Sequence, residues 1–185
     1  MSFLKTLSIV FFFLLLTASG CRRKNLAPID KLPPETQTGA NTFGCLVNGE
    51  AFLPKGDPFG GPIKKAQYQF LNGKQGFGIS AKRSGSDMVK DVAISGDSFK
   101  LAAGIYDLTE HNRNGRLSGS YAEYKLATVT VDDYYTNNIQ RGQLIITKFD
   151  TMEQIVSGTF WFDAKNAAGQ IVQVRSGRFD LGYVR

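Results

Sequence analysis

The sequence is poor in the residues that build metal and redox sites. It has one histidine, two cysteines and one tryptophan among 185 residues. A single histidine, His111, excludes a site held by several imidazoles. Its neighbours Glu110, Asn112, Asn114 and Gly115 read as a polar turn. Two cysteines allow at most one disulfide. No apolar run reaches the ~20 residues of a comfortable membrane span. No stretch carries a useful length of the 3.6-residue apolar period of an amphipathic helix. Basic residues outnumber acidic ones, 22 to 16, but form no stripe interleaved with aromatics. A dedicated nucleic-acid surface is therefore not expected. No cofactor is expected either.

What is present at the start is an address. Lys5 supplies a positive charge, Leu7 to Leu16 an apolar core, and Ala18, Ser19 and Gly20 the small residues of a cleavage site. This is the order of a secretory signal peptide over residues 1–20. Leu16-Thr17-Ala18-Ser19-Gly20-Cys21 resembles the lipobox of bacterial lipoproteins, with Ala18 where Leu is commonest. That resemblance implies a diacylated Cys21 whose amine is acylated after cleavage. Three chains would anchor firmly, because each buried methylene contributes ~0.8 kcal/mol. Arg22, Arg23 and Lys24 follow, suited to anionic headgroups. No aspartate resembling an inner-membrane retention signal stands after Cys21, and no acidic cluster resembling a surface-export signal. The expected location is the outer membrane, lipid-anchored, on its periplasmic face. Cys45, in the apolar run Phe43-Gly44-Cys45-Leu46-Val47, is then unpaired and reads as a small buried hydrophobe.

Residues 21–41 read as the lipidated cysteine and a flexible tether, with Pro28, Pro33 and Pro34 and no periodicity. Residues 42–185 read as one β-domain. Asn48-Gly49 and Asn72-Gly73 each separate apolar runs and signal hairpins. Further strands are expected at 89–95, 104–108, 120–131, 143–149, 155–164 and 171–183. Gly-rich turns and short strands predict an all-β fold, an antiparallel sandwich or barrel built from hairpins. A helical turn, if any, is expected near Asp97–Leu101. In the C-terminal hairpin, Phe160, Phe162, Val172 and Val174 should face the core. Phe179 and Leu181 take over after a one-residue bulge near Gly177.

The same parity puts Trp161, Gln173 and Arg175 on the opposite face. With Tyr134 and Tyr135 they are the candidate binding residues, for a glycan or an envelope protein. Asp132-Asp133 reads as a loop pair able to offer oxygens to Ca²⁺, but without the spacing of an EF-hand, so no metal is expected. Glu123, Asp132, Asp150 and Asp163 are the acids a glycan hydrolase could use. Asp150, Asp163 and Asp180 each end an apolar run and read as turn or strand-end acids.

The signal peptide, Thr38 to Gly49, Leu144 to Asp150, Ser157 to Asp163 and Gly177 to Asp180 together resemble a family of small Bacteroidota lipoproteins of uncharacterised function. The likeness covers most of the chain after the leader. It implies a β-rich domain and an outer-membrane address, and no activity. The expectation is a non-catalytic binding or envelope-structure domain, with a carboxylate-dependent glycan hydrolase as the alternative. The lipid anchor is directly testable. Cys21→Ser should abolish metabolic acyl labelling, and undiminished labelling would contradict the assignment.

Overall fold

The computed structural model describes residues 26–56, 61–71, 74–97, 100–109 and 119–185. The leader with Cys21, the Asn72-Gly73 turn and His111 lie outside the described residues. The described residues form eleven strands: β1 (Thr42–Val47), β2 (Glu50–Phe52), β3 (Lys64–Leu71), β4 (Lys74–Ser84), β5 (Val89–Asp97), β6 (Gly104–Leu108), β7 (Gly119–Ala127), β8 (Val131–Tyr135), β9 (Gly142–Asp150), β10 (Ile155–Lys165) and β11 (Ile171–Gly182). They make one antiparallel sheet in the order β2-β1-β11-β10-β8-β7-β5-β4-β3, with β9 and β6 branching off β10. The sheet curls until β3 meets the residues after β11. Tyr68 N donates to Val184 O at 2.8 Å, and Val184 N to Ala66 O at 3.1 Å. This all-β, barrel-like closure covers part of the β3 edge, which would otherwise stand open.

Alternation sets the core. Phe43, Ile79, Val92, Ile94, Leu144, Ile146, Val156, Phe162, Val174 and Leu181 are all buried on the inner face. Cys45 has no exposed surface, and burial pushes its thiol pKa up, so it packs as a hydrophobe. The C-terminal hairpin has the expected faces, with Phe160, Phe162, Val172, Val174, Phe179 and Leu181 buried and Trp161 outside. The parity change is absorbed as expected, one residue earlier than Gly177. Phe160 pairs with Gly177 but Phe162 with Val174, and Ser176 takes a φ of 52°.

Several expectations are corrected. The run 120–131 is not one strand but the β7–β8 hairpin. Its turn is built by threonines, with Thr128 N donating to Thr130 O at 2.8 Å, so no Gly or Pro marks it. Asp132 and Asp133 are therefore strand residues whose side chains leave opposite faces of β8. They cannot share a Ca²⁺ as loop neighbours would, and Asp133 instead lies 3.6 Å from Lys125. The one described helical turn is Pro28–Lys31, in the tether, and Lys100 and Leu101 are not helical.

The tether itself is corrected as well. From Leu32 to Asn41 it is a strap docked on the outer face of the sheet. Leu32 is buried. It crosses β1 at Gly44, where a Cβ would stand 2.7 Å from Pro33 Cδ and 3.4 Å from Leu32 Cδ2, so only glycine admits it. The strap ends on Asp180 of β11, which has no exposed surface. Thr36 Oγ1 donates to its carboxylate at 2.7 Å, Thr38 N at 2.9 Å, Gly39 N at 2.8 Å and Ala40 N at 3.0 Å. Ser157, its neighbour across β10, donates from Oγ at 2.7 Å. Gly39 (φ 73°) and Asn41 (φ 55°) turn the backbone so that successive amides point at one anion. Burial by itself would raise the Asp180 pKa, but the ring of donors outweighs it and holds the carboxyl well below the usual range.

Asp180→Ala would orphan the strap amides. Undocking lets them reach water, so the loss cannot exceed the docking energy of the strap, roughly 3 kcal/mol for a charged hydrogen-bond cluster. Within residues 26–41, limited proteolysis should cut wild type only before Leu32, and Asp180→Ala also within residues 33–41. Identical cleavage patterns would contradict the clasp.

Candidate functional site

The branch β6-β9-β10-β11 presents an outer face beside the strap. Register builds it row by row. Thr159 lies opposite Ile145 on one side and Arg178 on the other, and Trp161 lies opposite Gln143. Ile105 of β6 extends the row beyond Ile145. Trp161 is 41% exposed and Ile105 66%. Between the strap and Trp161 runs a shallow groove of about 320 Å³, lined by Glu35, Gln143, Ile145, Thr159, Trp161, Ser176 and Arg178 over a floor of Phe160 and Gly177.

Arg175 fixes the indole. Its guanidinium carbon sits 5.5 Å from the Trp161 ring centroid. Nη1 donates to Phe162 O and Val174 O, both at 2.9 Å, and Nη2 to Asp163 Oδ1 at 2.6 Å. The ion pair is half-exposed and adds little stability by itself. Its effect is orientation: three contacts and one planar group hold the cation against the ring. Arg178 is held more loosely, with Nη1 donating to Pro33 O at 3.3 Å and Nε to Ser176 O at 3.4 Å.

The expected binding residues divide. Trp161 lines the groove, and Arg175 is its buttress and not a free ligand donor. Gln173 is exposed on the same face, paired with Asp163, and does not line the groove. Tyr134 is buried in the core, its ring 5.7 Å from that of Tyr124, because it takes the inward position of β8. Tyr135 is on the outer face, opposite Lys165 and Glu123, away from the groove. Sequence reasoning missed Glu35, Gln143, Thr159 and Arg178. Thr159 shares the parity of Trp161 and was legible; Glu35 comes from the strap and was not.

The acids do not gather around Trp161. Asp163 is bound to Arg175. Asp150 accepts from Met152 N and Glu153 N at 2.9 Å and closes the turn before β10, as a turn acid should. Glu123 lies in a separate trough of about 260 Å³ on the outer face of β3, β4, β5 and β7, with Lys65, Gln67, Ser80, Asp91 and Ser95. Burial raises the pKa of both acids there. Lys125 and Lys82 oppose the shift at Asp91, and Lys125 opposes it at Glu123, where Asp91 and Asp133 add to it. Among the described residues no group of three or more His, Cys, Asp or Glu could hold a metal ion.

A family model for a domain of unknown function, DUF6252, matches residues 72–180. The chain belongs to the DUF6252 family. The DUF6252 span begins in the β3–β4 hairpin and ends on Asp180. It contains Trp161, Arg175 and Arg178, while Glu35 and the strap donors precede it. No curated protein and no solved structure matches the chain.

Proposed function

We propose that this DUF6252 protein is a lipid-anchored envelope protein of the outer membrane, periplasmic in orientation. Its domain is a non-catalytic module that binds a saccharide in the Trp161 groove. The observation that carries the reading is the exposed, braced indole at a groove rimmed by Glu35, Gln143, Thr159 and Arg178. An indole face packs on the C–H face of a pyranose. A carboxylate accepts from vicinal hydroxyls, and an amide, a hydroxyl and a guanidinium supply donors. A shallow, largely preformed site suits a surface module.

The lipoprotein assignment rests on the leader and the lipobox likeness, and the Bacteroidota assignment on the family likeness of the leader and the segments 38–49, 144–150, 157–163 and 177–180. The leash from Arg22 to Ala27 spans at most about 20 Å, so an acylated Cys21 would keep the groove close to the membrane. The hydrolase reading draws less support. The groove holds a single carboxylate, Glu35, where glycoside cleavage ordinarily needs two.

The test uses the protein's one tryptophan. Envelope and plant glycans are screened on an array against residues 22–185, and hits are titrated by Trp161 fluorescence. A saccharide that shifts the emission, and that Trp161→Ala no longer retains while staying folded, supports the reading. An array without hits, together with pull-down of an envelope protein dependent on Trp161, would replace the saccharide with a protein partner.

A further inference from the structure

We infer that the strap is a working wall of the Trp161 groove, so that strap docking and ligand binding stabilise one another. This deepens the saccharide reading and rests on it for the nature of the ligand, but not for the coupling itself. Four contacts place the strap in the site. Glu35 lines the groove from the strap side. Pro33 O accepts from Arg178, which also lines the groove. Pro33 and Leu32 sit on Gly44, the cross-strand partner of Arg178. Asp180, two residues along β11 from Arg178, clasps Thr36 to Ala40.

Undocking therefore removes one side of the groove outright. It strips Glu35 of its place and Arg178 of its carbonyl, while Trp161 keeps its own brace, because Arg175 bonds only within β10 and β11. A ligand bridging Glu35 and Trp161 contacts the docked state and not the undocked one. It must then favour docking by the factor by which docking favours it, because linkage is reciprocal. The strap is also the segment that leads to Cys21. Pulling on the anchor would thus act on the site. The ligand class that fits is a sugar ring with vicinal hydroxyls for Glu35 and a donor-accepting oxygen for Arg178.

The experiment uses the full chain after its leader, with two variants that attack the strap from different sides. Asp180→Ala removes the clasp. Gly44→Leu displaces Pro33 from below and leaves Asp180 intact, so a folding failure of one leaves the other. Hydrogen exchange over residues 33–41 reports docking, and acrylamide quenching of Trp161 reports the groove without any ligand. Released strap amides with increased quenching support the coupling. Released amides with unchanged quenching overturn it, and strap amides that stay protected in both variants overturn the clasp on which it rests. With the array-selected saccharide, affinity should fall roughly 5- to 150-fold in the released variants, the range usual for coupled sites. Absence of any saccharide binding to wild type would defeat the saccharide reading alone, since the quenching arm decides the coupling.

Discussion

A carboxylate ringed by five donors holds the two ends of this chain together. Asp180 accepts from three consecutive strap amides, Thr38, Gly39 and Ala40, and from the hydroxyls of Thr36 and Ser157. A buried charge is expensive unless it is fully hydrogen-bonded. Here the bonding outweighs the burial, and the carboxyl is held ionised. The four strap donors lie 140 to 144 residues away in sequence, so this one interaction fixes where the N-terminal segment must lie. It explains why Ile155 and Ser157 are buried although they sit on the outer face of β10. The strap covers that end of the face and stops short of Trp161, and the groove is the space left between them.

The two arginines near the groove illustrate how local geometry divides labour. Arg175 uses both terminal nitrogens on fixed oxygens and sets its guanidinium carbon 5.5 Å from the centre of the indole ring. Arg178, one bulge further along the strand, has only two long bonds to carbonyls. The first keeps an aromatic platform in place, and the second can exchange its weak bonds for better ones. The bulge at Ser176 makes the division possible. It shifts Arg178 into the register of Thr159, whereas regular alternation would have turned it toward the core.

Much of the sheet was legible because period-two alternation is written in single residues. Phe160, Trp161 and Phe162 suffice to orient β10, and the change from Val172 and Val174 to Phe179 and Leu181 announces the bulge. The β7–β8 turn was illegible because threonine hydroxyls and backbone perform what Gly or Asn usually signal. The strap was illegible for a different reason. Its composition is that of a linker, and only its partner, a buried aspartate at the far end of the chain, makes it structure. Asp180 in turn looked like any acid ending an apolar run. Glu35 could not be named before the strap had a place. Trp161 and Arg175 were found by parity, and Tyr134 was misplaced for want of the turn that defines its strand.

Asp180 is a fully ionised clasp, on which the placement of the strap depends. The most direct measurement is a carboxyl carbon NMR titration of Asp180 in the intact domain. A native pKa below the unfolded value means that the stabilisation is complete above about pH 4. It then declines as pH falls toward the native value. The Asp180 carboxyl signal should stay in its ionised position through the range where ordinary carboxylates titrate, with the Thr38, Gly39 and Ala40 amides still protected there. A carboxyl that titrates near the ordinary aspartate value, with those amides exchanging freely at neutral pH, would contradict it.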